Sequence, residues 1–536
     1  AHAHAHAHAH AHAHAHAHKN GLLSAAMGIE GTERPETGGF AMSLLDCALD
    51  FRHFIEELRR RNDLVDVHQE VSADLEIAAV CRRVYEQRLS APLFHHVAGA
   101  MPGARILGAP AGMLASAEHA YSRLALHFGL PPESSPRDIV AAIRRAVKAE
   151  PLAPDYCSTG PVKENIWRGD EVDLARFPVP LLHERDGGRY FGTYGFHVVQ
   201  SPDGKWHSWG IGRLMMLDRN RLTGPAIPTQ HIGMIREMWR REGKPTPWAM
   251  VLGAPPAAVA VAGMPLPAGV SEPDYVGALL GKSVTLTQAE TNDLWVPANA
   301  EIVLEGEISL TETALEGPMG EYHGYQHQQG HEQPVFHVHA MTFRDDPILP
   351  ICVAGTPPEE NHTIWGTMIS AQLLETLQSA ALPVDFVWCS YEAATCWAVV
   401  SVDTEKLAGM KTTAADFAGK VAEAVFGSHA GYLIPKLILV GNDIDIVDIT
   451  QVVWALATRS HPARDHFIFP DVREFPMVPY LSEEDKARGS GGKAIINCLF
   501  PEQFSGVTRA GTASFRHSYP EQVRVKVEAN WKQYGF

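Results

Sequence analysis

The stretch AEIVLEGEISLTETALEGPMGEYHGY, Ala300 to Tyr325, opens as a β-type run and closes on a stiff turn, Gly317-Pro318-Met319-Gly320, with Glu316 and Glu321 at its two ends. Pro318 fixes its own φ, while Gly317 and Gly320 permit conformations that other residues avoid, so two carboxylates can be held rigidly at one end of a strand. Neighbouring acids need not share a pKa. Burial raises one and a nearby arginine lowers the other, which yields an acid and a base at neutral pH. Taken alone, such a pair is more often a solvated loop than a catalytic site.

Outward from this stretch, roughly Ser158 to Asp345 is built of short β-type runs, GTYGFHVVQ and PVFHVHAMTF among them, with Gly and Pro punctuation. That pattern predicts a β-barrel or sandwich. One helix interrupts it, with Thr229 as N-cap, a stripe of Ile232, Ile235, Met238 and Trp239, and Gly243 at its end. His231 then falls in the first turn, where backbone N–H groups and the helix dipole favour an anion.

The region before it alternates helix and strand. Phe51, Phe54, Ile55 and Leu58 recur at helical spacing between Asp46 and Asn62, LVDVHQEV reads as a strand, and a helix around Leu75 to Gln87 precedes the strand APLFHHV. The Pro-rich AEPLAPDYC, Ala149 to Cys157, marks a boundary. Beyond Pro347 the chain returns to helices, over Ile364–Ala381, Asp416–Phe426 and Val452–Thr458, with KLILVGNDIDIV as a strand pair. A last helix starts at Pro520, and its stripe of Val523, Val527, Trp531 and Tyr534 must pack on another domain or a partner subunit.

Of the 536 residues, the first 18 are nine Ala-His repeats that resemble a purification tag, and the leader to about Gly39 has no clear periodicity. The fold is expected to begin near Met42. The expected division is 1–41 tag and leader, 42–157 an N-terminal α/β domain, 158–345 a β-barrel domain, and 346–536 a C-terminal α/β domain, an α+β fold. Charge sums to 45 minus 62, or −17, which repels nucleic acid and anionic membranes. The longest uncharged run, Trp248 to Pro267, is broken by four prolines and reads as buried strands and turns, not a membrane span. Seven cysteines without a C-x-x-C pair and no secretory signal fit a reduced cytoplasm.

Two further patterns carry chemistry, and three others fail. Arg213 follows a Gly-x-Gly in HSWGIGRLMM and can clamp a carboxylate, although a surface arginine beside a strand is the commoner arrangement. His231 and Glu272 suit manganese or magnesium, but two ligands so far apart in sequence are more often a structural helix-start histidine and an unrelated acid. GALLGKS, Gly277 to Ser283, has three residues between its glycines where a P-loop needs four. His323, His327, His331, His337 and His339 lack zinc-site spacing and read as polar lining and surface. Asp443 and Asp445 lack the glycine and terminal glutamate of an EF-hand.

Taken in order, SWGIGR, QHIGMIREMWRREGKPTPWA, GMPLPAGVSEPDYVGAL, ETNDLWVPANAEIVLEGEISLTETALEGPMGEYHGY, VDTEKLAGMKTT, VGNDIDI and FPMVPY closely resemble the UbiD family of prenylated-FMN-dependent decarboxylases, from about Phe51 to Phe536. The resemblance implies an N-terminal α/β domain, a central split β-barrel that binds the flavin, and a C-terminal α/β dimerisation domain. It implies a Glu-Arg-Glu network of Glu316, Arg213 and Glu321, with Glu321 the acid/base. It also implies flavin contacts at Trp209, Ile211, Gly212, Arg213, Gln230, His231, Gly263, Met264, Glu272 and His429. His231 and Glu272 match ligands of Mn2+ (or Mg2+) beside the flavin phosphate, with K+ close by. Ser208 stands where the family usually carries asparagine, a shorter and weaker ligand.

A carboxylate on an sp2 carbon does not leave unaided, so the cofactor must supply an electron sink. The implied activity is reversible, non-oxidative decarboxylation of an unsaturated or (hetero)aromatic acid. A UbiX-type prenyltransferase would supply the cofactor, and the enzyme would be a homodimer. Pocket positions correspond to Tyr322, Asn361, Trp365, Leu433, Phe475 and Met477. Bulky Trp365 shortens the pocket and Asn361 can donate and accept, which favours pyrrole-2-carboxylate or a furan acid over a long cinnamic acid. The alternatives are a cinnamic or phenolic acid decarboxylase, a non-catalytic flavin-binding protein, or a plain FMN oxidoreductase.

Overall fold

Ile302–Glu316 and His331–Phe343 form one long antiparallel hairpin, paired from Ile302 against Phe343 to Glu316 against His331. The computed structural model describes residues 43–326, 329–507 and 511–536; His327, Met42 and the leader expected over 1–41 lie outside them. The first five residues of Ile302–Glu316 are all buried, as suits a strand covered on both faces, whereas its far half is largely exposed. The ladder slips register between Ile308 and Thr313, and such an irregularity bends a hairpin.

This hairpin is the centre of a nine-stranded antiparallel sheet that curls into a half-barrel. His207–Ile211 lies at one end of the strand order, while Leu214–Met216 pairs near the other with Tyr190–Gly192 and Arg221–Thr223. Only Gly212 and Arg213 separate those two strands, so two residues carry the chain from one end of the sheet to the other.

A four-stranded sheet precedes the half-barrel: Leu64–Val67, Ala91–Phe94 and Arg105–Gly108, joined by Ile348–Ile351 once the chain has left the hairpin. A five-stranded sheet comes after it, with Trp397–Val402, Lys436–Gly441 and Ser490–Cys498 parallel at its centre. Helices Thr367–Ser379 and Ala414–Phe426 cover it through buried Leu373, Leu377, Phe417 and Val421. No helix among the described residues is long and apolar enough to cross a membrane.

Several local expectations change. The helix expected over Asp46–Asn62 is two, Leu44–Leu49 and Phe51–Arg60, because Asp50 turns extended (φ −142°) and its carboxylate accepts the His53 N–H at 2.9 Å. The run Trp248 to Pro267 contains a wholly buried helix, Pro256–Ala262, since proline at the first helical position loses no hydrogen bond. Only Lys436–Gly441 of KLILVGNDIDIV is a strand. Asp443 leaves the ladder to bind the Arg459 guanidinium at 2.7 and 3.1 Å, and Asp445 caps the Val447 N–H at 3.1 Å. The helix after Pro520, Glu521–Ala529, buries none of its side chains.

Two guanidinium groups brace the first sheet, one of them against the central hairpin. Arg52 donates to Glu301, at the head of that hairpin, at 3.0 Å, and Glu301 also accepts the Ile348 N–H at 3.0 Å. Arg123, which is buried, donates to Asp63 at 2.8 and 2.6 Å and to the carbonyls of Ala109 and Leu89 at 3.1 and 2.6 Å. Removing one partner of so buried a pair leaves a charge with no solvent. Arg123→Met is therefore expected to cost about 3–5 kcal/mol, read as a lowered unfolding midpoint, and Asp63→Leu combined with Arg123→Met to recover much of it.

Candidate active site

Glu316 is the last residue of its strand, and the turn after it needs its glycines for different reasons. Gly317 has φ +81°, the left-handed region. Gly320 is in close approach: a Cβ there would come within 2.5 Å of the His183 ring. Held this way, Glu316 and Glu321 both reach Arg213. Arg213 Nε donates to Glu316 Oε1 at 2.8 Å and Nη2 to Oε2 at 3.2 Å, while Nη1 makes a short contact to Glu321 Oε1.

The two carboxylates are buried, with 1% and 6% of their surface exposed. Burial raises the Glu321 pKa above the usual carboxylate range even though Arg213 opposes it. Tyr190 donates its hydroxyl to Glu316 Oε1 at 2.8 Å, and burial together with that carboxylate keeps the phenol protonated. No sequence motif pointed to Tyr190. It stands in a short strand beside Leu214–Met216, and only pairing across the sheet brings it under Glu316.

Next to this cluster lies a cavity of about 540 Å³. Of the residues singled out in sequence, Trp209, Ile211, Gln230, His231, Gly263, Met264, Glu272 and His429 line it, as do Asn361, Trp365, Leu433 and Phe475. Arg213, Glu316 and Glu321 are off that wall, beyond Ile211. Gly212 is off it too: a Cβ there would meet the His197 ring at 2.3 Å, so its missing side chain admits His197. Tyr322 backs the wall, its ring centroid 5.6 Å from that of Trp365 and 6.4 Å from that of Phe475, and Met477 packs on the same small cluster.

On the same cavity, the helix His231–Arg241 starts one residue later than expected, with Gln230 rather than Thr229 at its N-cap and no side chain capping it. Among the described residues no side chain caps its first N–H groups, which suits them to an anionic ligand. His231 Nδ1 lies 3.4 Å from Glu272 Oε1 and 3.5 Å from Ser208 Oγ, and Glu272 Oε2 accepts the Trp209 N–H at 2.9 Å. An imidazole, a carboxylate and a hydroxyl so close together make a donor set for a hard divalent ion. A cavity of this size, with an uncapped helix start in its wall and a Gly263 at which a Cβ would come within 3.1 Å of Ile211, fits a flavin phosphate and ring.

Asn361 is restrained. Its Nδ2 donates to both oxygens of Glu359, at 3.0 and 3.2 Å, and its backbone N–H to Glu359 Oε2 at 2.8 Å. Among the described residues no donor reaches Asn361 Oδ1.

Comparison with known proteins gives a consistent result. Three models of the 3-octaprenyl-4-hydroxybenzoate carboxy-lyase (UbiD) family match in order: the N-terminal domain over 55–143, the Rift-related domain over 156–357 and the C-terminal domain over 362–498. Pyrrole-2-carboxylic acid decarboxylase of Pseudomonas aeruginosa is 71% identical over 91% of this chain and 99% of its own. Ferulic acid decarboxylase 1 of Saccharomyces cerevisiae is 40% identical over 92% of this chain and 100% of its own. Among solved structures, vanillic acid decarboxylase of Sedimentibacter hydroxybenzoicus superposes with a TM-score of 0.76 at 25% identity, covering 91% of this chain and 99% of that one. The UbiD-class enzyme HmfF of Pelotomaculum thermopropionicum, solved with FMN, gives 0.74 at 26%, covering 86% and 97%. With the family's three domain models in register along its length and so near a relative, this chain belongs to the UbiD family of carboxy-lyases.

Proposed function

We propose that the protein decarboxylates a compact heteroaromatic acid of the pyrrole-2-carboxylate type, reversibly and with prenylated FMN. The observation that carries this reading is a buried Glu321, its pKa raised by that burial, tied to Arg213 beside a cavity of cofactor size. Relatives named for pyrrole-2-carboxylate and for FMN support it. The flavin, when bound, would supply the electron sink that a departing sp2 carboxylate requires. Glu321 would give its proton to the carbon that loses CO2, and Arg213, oriented by Glu316 and Tyr190, would hold Glu321 in line.

His231 and Glu272, with Ser208, would hold Mn2+ or Mg2+ against the flavin phosphate, with K+ nearby, and His429 faces the same end. A UbiX-type prenyltransferase would supply the flavin. Seven free cysteines suit a cytoplasmic enzyme, and exposed Val523, Val525 and Trp531 on and beside the last helix suit a homodimer.

Trp365 and Phe475 close the cavity with rings 5.9 Å apart, which favours a short substrate. Glu359 engages the amide nitrogen of Asn361, so the side chain offers an acceptor, and an acid with a ring N–H answers it where a furan oxygen does not.

Glu321→Gln is expected to abolish CO2 release while the visible absorption of bound flavin persists; full turnover by that variant refutes the assignment. Pyrrole-2-carboxylate is expected to outrun 2-furoate by at least about tenfold and cinnamate by more, with Trp365→Ala narrowing the gap to cinnamate; cinnamate as the better wild-type substrate overturns the compact pocket. Ser208→Asn is expected to tighten Mn2+ binding several-fold, measured by metal titration; unchanged affinity removes residue 208 from the ligand set.

A further inference from the structure

The loop before strand Tyr190–Gly192 holds a histidine–aspartate pair that the proposed reaction does not use. His183 Nδ1 lies 2.9 Å from Asp186 Oδ2, and His183 Nε2 lies 2.7 Å from the carbonyl oxygen of Ala354. Both partners can only accept, so the geometry offers an acceptor to each ring nitrogen. Asp186, whose side chain is fully buried, also accepts the Gly320 N–H on Oδ1 at 3.1 Å. Gly187 N–H donates to the Pro318 carbonyl at 2.8 Å, and the His183 ring fills the space against Gly320. The loop therefore holds the Gly317–Gly320 turn at two peptides, the second of them adjacent to Glu321.

Charges of both signs surround His183. Asp186 faces it from its own loop; Glu316 and Glu321 lie at the ends of the turn, with Arg213 and the neutral Tyr190 phenol behind them. Beyond Ala354, Arg82 donates to the carbonyls of Val353 and Thr356 at 2.9 and 2.6 Å. With Glu321 protonated, Arg213 and a cationic His183 balance Glu316 and Asp186. Release of the proton then leaves one excess negative charge in the cluster, and two if His183 were neutral. The Glu316 and Asp186 charges already act with burial to make Glu321 hold its proton. A cation on Asp186 lightens that load.

We propose that His183 is a positioning residue for the proton donor: as an imidazolium it neutralises Asp186, pins the turn between its loop and the Ala354 segment, and sets the charge against which Glu321 gives up and regains its proton. This rests on the reading of Glu321 as the donor.

The test uses flavin-loaded protein with ¹⁵N-histidine. The His183 ring signals, identified by their loss in His183→Gln, are expected to show two protonated nitrogens at pH 7. A neutral tautomer overturns the proposal, whatever the enzyme's activity. In the same variant, glutamine can donate to one acceptor only and carries no charge. Its kcat is expected to fall about tenfold with flavin content and KM held within about twofold, and the alkaline limb of kcat to move upward, because removing a nearby cation raises the pKa of Glu321. An unchanged kcat and limb, or a kcat loss matched by lost flavin with the limb unmoved, overturns it. A wild-type holoenzyme without decarboxylase activity removes the donor role of Glu321 instead, and the ring signals still decide the state of His183.

Discussion

A single guanidinium between two carboxylates governs this structure's chemistry. Arg213 binds Glu316 in a fork and touches Glu321 with its remaining nitrogen, and both acids are out of water. Buried charges of this kind persist only when fully partnered, which is why Tyr190 is present under Glu316 and why the turn between the acids is built of glycine and proline. The arrangement is uneven in a useful way. Glu316 is held by three hydrogen bonds, whereas Glu321 has one partner on Arg213, is buried, and keeps its proton more tightly than a free carboxylate.

The cavity beside this cluster is made from chain segments far apart in sequence. The half-barrel supplies Trp209 and Ile211, the helix that interrupts its strands supplies His231, and the π-helical turn Asn361–Gly366 supplies Asn361 and Trp365. From beyond the central strands of the last sheet come Leu433 and Phe475. Its lining joins a polar part, an uncapped helix start beside His231 and Glu272, to the aromatic rings of Trp365 and Phe475. That polarity matches a ligand with a phosphate at one end and a ring at the other.

Much of the fold was legible. The β-type runs from Ser158 to Asp345 became the half-barrel, and the helices over 76–87, 414–426 and 449–459 stand close to where their apolar spacing put them. The misses share a cause, which is a side chain that competes with the regular backbone. Asp50 capped a new helix inside a helical stripe, Asp443 left its strand for Arg459, and Pro256 began a helix where prolines had suggested turns.

The sequence by itself determined which groups were available: a turn able to hold two acids, an arginine after Gly-x-Gly, and an imidazole in the first turn of a helix with a carboxylate, Glu272, downstream of it. Those properties are local, set by φ freedom and helix periodicity over a few residues. Tertiary structure decided the rest. Arg213 meets Glu316 because the sheet curls until Gly212 and Arg213 bridge its ends, Tyr190 reaches Glu316 and Asp186 reaches the Gly320 N–H only through long-range packing, and Asn361 offers an acceptor only because Glu359 has engaged its donor. Distance and burial between residues a hundred positions apart are fixed by packing, and no window of sequence carries them.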